Sequence, residues 1–552
     1  GVPKEVWIMK HYLSLIIIIC LLLSGCTNRS GIEDANPVNV PEYLKGVTFD
    51  EHMTISIGFW NIQDMVNSKS KDAILTYIEN LFNITIEPVS TNWSDYKARY
   101  QILNATGSFP DVFANLTVSS SDNKDTAGLA NMIDSGTIRS LPEDLSKYPN
   151  IRKLFDTLEY TRYSDGKYYF IPRLSLQEPI LSSTDAAMVV RKDWMESLGL
   201  SAPKSLEEFV ELVRAFASED PDGNGIDDTA GYNVNDRIAL GKWLILGIAP
   251  ECNVFGWVET SNGYIPSYIT EDFKKVVKAY RTLYEKGGLD PDFYMKKSSD
   301  GVNDFAHGRL GALEYKSSPS ALLELKTQWE MYSEKPFADS VGVLPIFPFE
   351  DGKYYSNSSN SFWSESYFSA DVDDSKLERI LYLYDFLLSR EGLELINYGI
   401  EGVDYRKTDN GYQCLIDLDN KSLNKVLQKQ YPSLLLFGSL AIWGGTRTED
   451  FKINEINNLR YGEDVMEIVN TDLQWNMANT ISVEHPYDFL LMPKENTDLF
   501  NKEKVIDDFT KIIIGSGDPV KMWEEIIDSY REAGLDEYIV RQNKRYKEYR
   551  NR

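Results

Sequence analysis

The sequence predicts an α/β fold, and three segments near the start of the chain carry this prediction. Residues 54–60 (TISIGFW) alternate between polar and apolar side chains, as a half-buried strand does. Residues 74–81 (ILTYIENL) repeat apolar side chains at spacings of three and four, which predicts a helix. Residues 84–89 (ITIEPV) predict a second strand. A strand, a helix and a strand at this spacing form a βαβ unit, so the sheet is expected to contain parallel strands.

Later segments predict further helices. Ser205 and Glu208 form a capping box in front of the apolar positions of 209–216. Residues 377–388 and 520–530 are amphipathic at helical spacing, and Gly534 is placed to end the latter helix. The sequence contains no internal repeat that would indicate a solenoid.

Composition limits the classes of protein to which the chain belongs. Its 552 residues suffice for two to four domains or two large lobes. The 84 acidic residues outnumber the 57 Lys and Arg, giving a formal charge of −27. Nucleic acid is therefore not expected as a partner, because phosphate binding needs a basic face. The 33 Tyr and 11 Trp exceed what a core requires and favour ligand recognition.

The amino terminus predicts export and a lipid anchor. From Met9 a short polar segment precedes the apolar run 12–23, which is too short to span a bilayer and is typical of a secretory signal. Residues 23–26 (LSGC) resemble the lipobox of bacterial lipoproteins. This resemblance implies that 1–25, an upstream extension with the signal peptide, are removed and that Cys26 carries the lipid. The alternative is an ordinary signal peptide with an incidental cysteine. Residues 26–49 are expected to form a flexible tether.

The sequence lacks most catalytic signatures. No HExxH, GxSxG or P-loop pattern occurs, and His52, His307 and His485 lie far apart in the chain. The absence of a catalytic pattern favours a binding protein over an enzyme, and no cofactor is required for chemistry. Cys252 and Cys414 do not form a disulfide framework, and the sequence leaves open whether they pair.

One segment resembles a calcium loop. The segment 220–228 offers oxygen ligands at EF-hand positions 1, 3, 5 and 9 and a backbone carbonyl at position 7, the candidates being Asp220, Asp222, Asn224, Ile226 and Asp228. Gly231 stands where the EF-hand has its bidentate glutamate. A structural Ca²⁺ is one interpretation. The other is an Asx-rich loop that satisfies its own hydrogen bonds.

Several segments together resemble the extracellular substrate-binding lipoproteins of ABC transporters, specifically the oligosaccharide-binding type. They are 107–113 (GSFPDVF), 165–172 (DGKYYFIP), 191–203, 305–311 (FAHGRLG), 398–405 (YGIEGVDY) and 512–535. The resemblance implies a periplasmic-binding-protein-like fold with two lobes, hinge crossovers and a ligand cleft between the lobes. Lobe 1 would comprise 50–178 and 346–386, and lobe 2 would comprise 183–341 and 390–552. It also implies a monomer on the extracellular face of the cytoplasmic membrane that delivers an oligosaccharide to ABC permease subunits.

Ligand-binding candidates follow from the chemistry of sugars, which combine apolar faces with many hydroxyl groups. Trp60 and Asn115 come at the ends of strands, where ligands bind open α/β sheets. The further candidates are Trp257, Trp363, Tyr367, Glu401, Tyr405 and Trp443. Glu401 has a structural alternative, as a partner within the turn 398–405. Trp194 and Trp523 lie at helical spacing and are expected in the core.

Two other functions remain open from the sequence. One is a lipoprotein glycosidase or lyase, which would need convergent carboxylates in the cleft. The other keeps the binding fold but takes a peptide or another small solute.

Overall fold

The computed structural model describes residues 40–67, 69–118, 126–174, 179–234, 242–357, 362–409, 411–419, 421–442, 455–483 and 500–551. Within these ranges the strands are β1 (Met53–Trp60), β2 (Ile84–Thr91), β3 (Val112–Asn115), β4 (Phe170–Leu174), β5 (Ala187–Arg191), β6 (Ala230–Asn233), β7 (Trp257–Thr260), β8 (Gly263–Pro266), β9 (Leu310–Tyr315), β10 (Val341–Leu344), β11 (Tyr354–Ser356), β12 (Phe362–Phe368), β13 (Tyr405–Thr408), β14 (Gly411–Cys414) and β15 (Thr480–Ser482).

The α-helices of the same ranges lie on both sides of two main sheets. They are Ala73–Phe82, Tyr96–Thr106, Thr126–Asp134, Pro149–Thr157, Lys192–Ser197, Leu206–Ser218, Glu271–Glu285, Ser298–Ala306, Pro319–Tyr332, Phe337–Ser340, Asp374–Leu388, Arg390–Tyr398, Leu423–Gln430, Ser433–Leu440, Glu455–Tyr461, Glu463–Asn479, Lys502–Ile514, Pro519–Glu532 and Leu535–Arg550.

The first sheet has the strand order β2-β1-β3-β12-β4. β1 and β2 are parallel, and the helix Ala73–Phe82 connects them, which confirms the predicted βαβ unit. Asp72 begins this helix by accepting a hydrogen bond from the Leu75 amide. β12 runs antiparallel to both β3 and β4. The carboxyl ends of β1, β2, β3 and β4 therefore lie at one edge of the sheet, together with the start of β12.

The second sheet has the strand order β10-β5-β9-β6 and is covered on both faces. Along β5, Met188 and Val190 pack into one hydrophobic cluster, whereas Val189 packs into another. This alternation follows from the two-residue period of a strand. At one edge of this sheet lie the start of β5 and the ends of β6, β9 and β10, since Ala187 pairs with Tyr315 and Met188 with Leu344.

Short chain crossovers connect these two edges. Only residues 175–178 separate Leu174, at the end of β4, from the 3₁₀ helix Pro179–Asp185 that leads into β5. Residues 358–361 separate Asn357 from Phe362, at the start of β12. Five backbone steps span at most roughly 18 Å. The carboxyl-end edge of the first sheet therefore faces the crossover edge of the second, and a cleft between two lobes follows from the topology.

The carboxy-terminal third of the chain is divided between the lobes. Buried residues such as Leu395, Leu427 and Phe437 pack in the core of the first sheet. The sequence-based boundary placed 390–552 entirely in lobe 2, and for 390–442 that assignment is wrong. Val505 and Trp523 do pack with the second sheet. Amphipathic helices reveal that one face is buried, but not which sheet buries it.

The predicted helices are present, with one difference at the capping box. Ser205 accepts from the Glu208 amide at 3.2 Å, but the Glu208 carboxylate accepts from the Lys204 amide rather than from that of Ser205. Trp194 and Trp523 are fully buried, as expected of core residues. Among the described residues, no helix has both the length and the apolar character needed to cross a bilayer.

Candidate functional site

Four aromatic side chains meet at the carboxyl-end edge of the first sheet, and we call Trp60, Trp93, Tyr96 and Trp363 the aromatic platform. The ring centres of Trp60 and Trp93 are 5.1 Å apart, and those of Trp60 and Trp363 are 5.6 Å apart. Trp93 stacks on Tyr96 at 5.6 Å with an angle of 25° between the planes. Trp93 is 48% exposed, whereas Trp60 is only 5% exposed. Trp60 therefore forms the floor of the platform, and Trp93 is its most accessible ring.

Two turns position the tryptophans. Asn61 follows β1 in the left-handed conformation, with φ of 58°, and its amide donates to the Thr91 carbonyl at the end of β2. The Asn61 side chain accepts from the Trp93 amide at 3.3 Å. The ends of β1 and β2 are thereby tied together, which brings the two indole rings into contact. Within the described chain the Trp60 indole nitrogen is buried and makes no hydrogen bond.

A buried arginine lies beneath the platform. Arg173 donates hydrogen bonds to the Ser364 hydroxyl and to the Ser439 carbonyl. Burial lowers the pKa of Arg173 to about 9, a shift that nearby Tyr384 and Glu365 oppose, so the group remains a cation at neutral pH. Its guanidinium carbon lies close to the centres of three rings, those of Phe59 (4.8 Å), Trp60 (5.5 Å) and Trp363 (5.9 Å).

The structure places two more candidates on the strands beside the platform. Asn115 ends β3 half-buried, and its side-chain oxygen accepts from the Leu116 amide at 2.8 Å. Tyr367 lies instead in the core, stacked on Phe113 at 5.6 Å, and its hydroxyl bonds to Thr117. This burial gives Tyr367 no surface for a ligand. Tyr367 pairs with Phe170, at the start of β4, so it lies toward the end of the sheet away from the platform.

Three further candidates, all within the described residues, do not join the platform. Tyr405 is buried among Tyr398 and Tyr412, with ring centres 5.6 and 5.7 Å away. The Glu401 carboxylate lies 3.6 Å from the ammonium group of Lys407, on β13. Trp257 belongs to β7 and lies 6.1 Å from Tyr538 of the carboxy-terminal helix. Trp443 and Cys26 lie outside the described residues.

The sequence interpretation missed Trp93 and Tyr96. It ended the second strand at Val89, whereas β2 continues to Thr91. Trp93 follows that end closely, as Trp60 ends β1, so the same rule about strand ends would have found it. Tyr96 begins the next helix and packs against Trp60 at 5.5 Å.

Two buried carboxyl groups lie at the edge of the second sheet. Glu314, on β9, accepts from the Tyr232 hydroxyl and the Trp243 amide at 2.8 Å each, and burial raises its pKa to about 7. Asp472 accepts from the Ser317 hydroxyl at 2.6 Å, and burial raises its pKa to about 6. Asp472 lines a cavity of about 10 Å³ at the meeting point of the crossovers. This volume has room for one water molecule at most.

A larger hollow of about 670 Å³ lies elsewhere on the first lobe. Residues 141–146 and several residues of 152–168 line it, beside the start of β4. This is the opposite edge of the sheet from the platform, so the hollow is not part of the candidate site.

The predicted calcium loop is held by its own hydrogen bonds. The amides of Asn224 and Gly225 donate to the Asp220 carboxylate, and the Asn224 side chain donates to Asp222 and Asp228. Burial and the neighbouring carboxylates raise the pKa of Asp222. In the described part of the chain no group of three or more His, Cys, Asp or Glu side chains is arranged to hold a metal.

The structure also explains the missing glutamate of the loop. Gly231, at position 12, lies in β6 against the helix Leu206–Ser218. A Cβ atom at this position would collide with the backbone carbonyls of Val213 and Gly288. Packing therefore requires glycine at position 231, and a side chain that could supply the EF-hand ligand of position 12 has no room. Cys252 and Cys414 are both free thiols, so the question of their pairing is answered.

Comparison with known proteins identifies the family. The family model for bacterial extracellular solute-binding proteins matches residues 73–392. The chain belongs to this family. The matched region runs from the first helix of the βαβ unit across both crossovers, so it contains the second main sheet, every strand of the first sheet except β1, and the platform residues other than Trp60.

Characterised members of the family include similar proteins from Bacillus subtilis (strain 168). The polygalacturonan/rhamnogalacturonan-binding protein YtcQ is 26% identical over 346 residues, 62% of this chain and 65% of YtcQ. Lipoprotein LipO is 25% identical over 364 residues, 63% of this chain and 67% of LipO. The matched stretch thus spans about two thirds of these relatives. The solved structure of the substrate-binding protein FusA of Streptococcus pneumoniae in complex with kestose matches 90% of this chain and 99% of FusA, with a TM-score of 0.63 at 17% identity. This match confirms the two-lobed α/β fold.

Proposed function

We propose that this protein captures an extracellular oligosaccharide between its two lobes and delivers it to an ABC permease. The observation that carries the proposal is the aromatic platform, which lies at the edge of the first sheet that faces the second lobe. Flat rings bind the apolar faces of sugars, and we assign the hydrogen bonds to sugar hydroxyl groups to Asn61, which contacts the Trp93 amide, and to Asn115, at the end of β3. Closure of the second lobe would then cover the ligand.

The proposed ligand residues are Trp60, Trp93, Tyr96, Trp363 and Asn115. The names of the similar proteins support a glycan ligand, since YtcQ is a polygalacturonan/rhamnogalacturonan-binding protein and FusA was solved with kestose. Glu401, Tyr405 and Trp257 are proposed as structural residues, because each packs within a cluster apart from the platform.

Isothermal titration calorimetry against a panel of neutral and acidic oligosaccharides and peptides tests this function. We expect a dissociation constant in the micromolar range or below for at least one glycan, and recovery of that glycan unchanged by chromatography. Shortened products would favour the glycosidase or lyase alternative. Binding of peptides alone would favour the alternative in which the same fold takes a peptide ligand.

We further propose that Cys26 anchors the protein on the extracellular face of the cytoplasmic membrane and that it acts as a monomer. The lipobox-like residues 23–26 support this, and LipO, a similar protein, is named a lipoprotein. Mass spectrometry of the mature amino terminus should find Cys26 diacylated. Cys26→Ser should release the protein from the membrane fraction.

A structural calcium ion is proposed for the loop 220–228. Asp220, Asp222 and Asp228 converge on the Asn224 region, and in the described chain none of them is paired with Lys or Arg. Carboxylate and amide oxygens are the ligands that Ca²⁺ prefers. Binding would require these side chains to turn from Asn224 toward a common centre.

A further inference from the structure

Two lysines and one aspartate lie at the edge of the second sheet. Lys316 directly follows β9, Asp185 ends the 3₁₀ helix Pro179–Asp185, and Lys242 precedes Trp243, whose amide is bonded to Glu314 of β9. The Asp185 carboxylate is 3.1 Å from the Lys316 ammonium and 3.8 Å from that of Lys242. All three side chains reach solvent, with exposed fractions of 34%, 51% and 31% for Asp185, Lys316 and Lys242.

This group lies on the side of the second lobe that faces the aromatic platform. Asp185 stands at the crossover that leads from Leu174, and Ala187 pairs with Tyr315 beside Lys316. Because residues 175–178 are too few to carry the chain around the lobe, this edge is opposite the carboxyl ends of the first sheet. A ligand lying on the platform therefore has the lysines across the cleft.

Among the described residues at this edge, the balance of accessible charge is positive. Two further carboxyl groups lie nearby, but Glu314 and Asp472 are buried and accept hydrogen bonds from within the lobe. In the part of this edge that the structure describes, the ammonium groups of Lys242 and Lys316 and the carboxylate of Asp185 remain accessible, although the chain as a whole has a charge of −27. Lys316 lies at hydrogen-bonding distance from Asp185, and Lys242 forms a longer ion pair with the same carboxylate. One carboxylate thus faces two ammonium groups, which leaves one positive charge for a second anion.

We propose that the ligand is an anionic oligosaccharide and that Lys242 and Lys316 are the residues that select it. This inference rests on the proposed function and names its substrate class. A carboxylate or sulfate on the sugar would take Lys242 as its partner and share Lys316 with Asp185. The aromatic platform would hold the sugar rings, and the lysines would distinguish charged from neutral residues of the glycan.

The test compares an anionic ligand with its uncharged ester and with two glycans of other structure. Calorimetry on the wild-type protein would use tetragalacturonate, its methyl ester, a sulfated carrageenan tetrasaccharide and a neutral fructo-oligosaccharide. We expect an anionic ligand to bind about tenfold or more tightly than the methyl ester at low salt. In 1 M NaCl, where the screening length is about 3 Å, this advantage should shrink. The carboxylate and sulfate arms identify which anion the site prefers.

The variant Lys242→Gln/Lys316→Gln should reduce the preference for the anionic ligand to about onefold to twofold. Lys286→Gln is the matched control, since Lys286 is 52% exposed and lies 3.4 Å from Glu211 on the helical layer. Equal or tighter binding of neutral glycans by the wild type, or a preference that survives in the double variant, would overturn the inference. In either case glycan binding itself, and with it the proposed function, would stand. Failure to bind any glycan of either charge would overturn both.

Discussion

The guanidinium carbon of Arg173 lies 5.5 Å from the centre of the Trp60 ring, so a buried cation supports the floor of the aromatic platform. A cation close to an indole ring is attracted by the electrons of that ring. The arrangement fixes Trp60 from below, while Trp93 and Trp363 contact it from the cleft side. The platform is therefore built as part of the core of the first lobe.

Arg173→Met is expected to lower the free energy of unfolding by roughly 2–4 kcal/mol, because hydrogen bonds from a charged donor are lost and the Glu365 carboxylate stays buried. Urea denaturation of the two proteins measures the change. Arg545→Met, at an exposed position of the carboxy-terminal helix, is the control and should change stability little. Equal stability of the Arg173 variant and the wild type would contradict the structural role assigned to this cation.

Trp93→Ala is expected to weaken glycan binding about fivefold to tenfold while changing the melting temperature little. The ring is nearly half exposed, so its loss removes a ligand surface worth on the order of 1 kcal/mol without opening the core. Calorimetry and a thermal melt measure the two effects separately. Trp257→Ala is the matched control, because Trp257 packs against Tyr538 away from the platform. A variant at Trp257 that lost affinity as strongly as the one at Trp93 would refute this location of the site.

The sequence predicted the βαβ unit and the position of Trp60 because both follow from local rules about strand period and strand ends. Those local rules do not predict the burial of Tyr367. The sequence interpretation named it as a ligand candidate, but the register of β12 with β3 and β4 places it opposite Phe113 and Phe170, within the core. That register is set by tertiary pairing, which a single sequence does not reveal.

The assignment of 390–442 failed for a related reason. The helix Arg390–Tyr398 has an apolar face that either lobe could bury, and the structure buries Leu395 and Tyr398 in the first. Helical periodicity does not indicate which lobe packs against that face. The charged edge formed by Asp185, Lys242 and Lys316 was equally hidden, since these residues come together only through the pairing of β5 with β9.

Added Ca²⁺ is expected to raise the melting temperature of the protein, and EDTA is expected to reverse the rise. A ligand present at 100 times its dissociation constant stabilises the fold by about 2.7 kcal/mol. Asp222→Asn should reduce the response, because burial and the neighbouring carboxylates Asp220 and Asp228 already raise the pKa of this carboxyl group, and a cation would relieve that repulsion. If neither Ca²⁺ nor EDTA changes the melt, the loop is the self-bonded alternative.

Gly231→Glu tests whether a glutamate at loop position 12 can serve as a calcium ligand in this fold. Restoring the EF-hand glutamate would strengthen calcium binding if only the sequence mattered. The structure predicts the opposite, because any side chain here collides with the Val213 and Gly288 carbonyls. We expect a clear loss of thermal stability without tighter calcium binding, measured by thermal melts over a calcium titration. Gly287→Ala, at a position where a Cβ atom has open space but φ is 72°, is the control for backbone strain alone.

Acidification from pH 7 to pH 5 is expected to stabilise the wild type relative to Asp472→Asn. Burial raises the pKa of Asp472 from 3.8 to about 6, so the folded state binds the proton more tightly than the unfolded state. The stabilisation from this proton is complete below about pH 4 and is lost as the pH rises through about 6. Between pH 7 and pH 5 the wild type should gain about 1 kcal/mol over the variant.

Urea denaturation of both proteins at each pH isolates the contribution of Asp472 to the free energy of unfolding, because the other carboxyl groups of the chain titrate in both proteins. Glu314→Gln should behave alike, since the pKa of Glu314 is raised to about 7 by the same cause. A difference between wild type and Asp472→Asn that stays constant, or shrinks, on acidification would mean that Asp472 is not protonated more readily in the fold. Asp472 lines the cavity where the crossovers meet. That outcome would therefore also mean that the junction of the lobes does not disfavour the charged form of this carboxyl group.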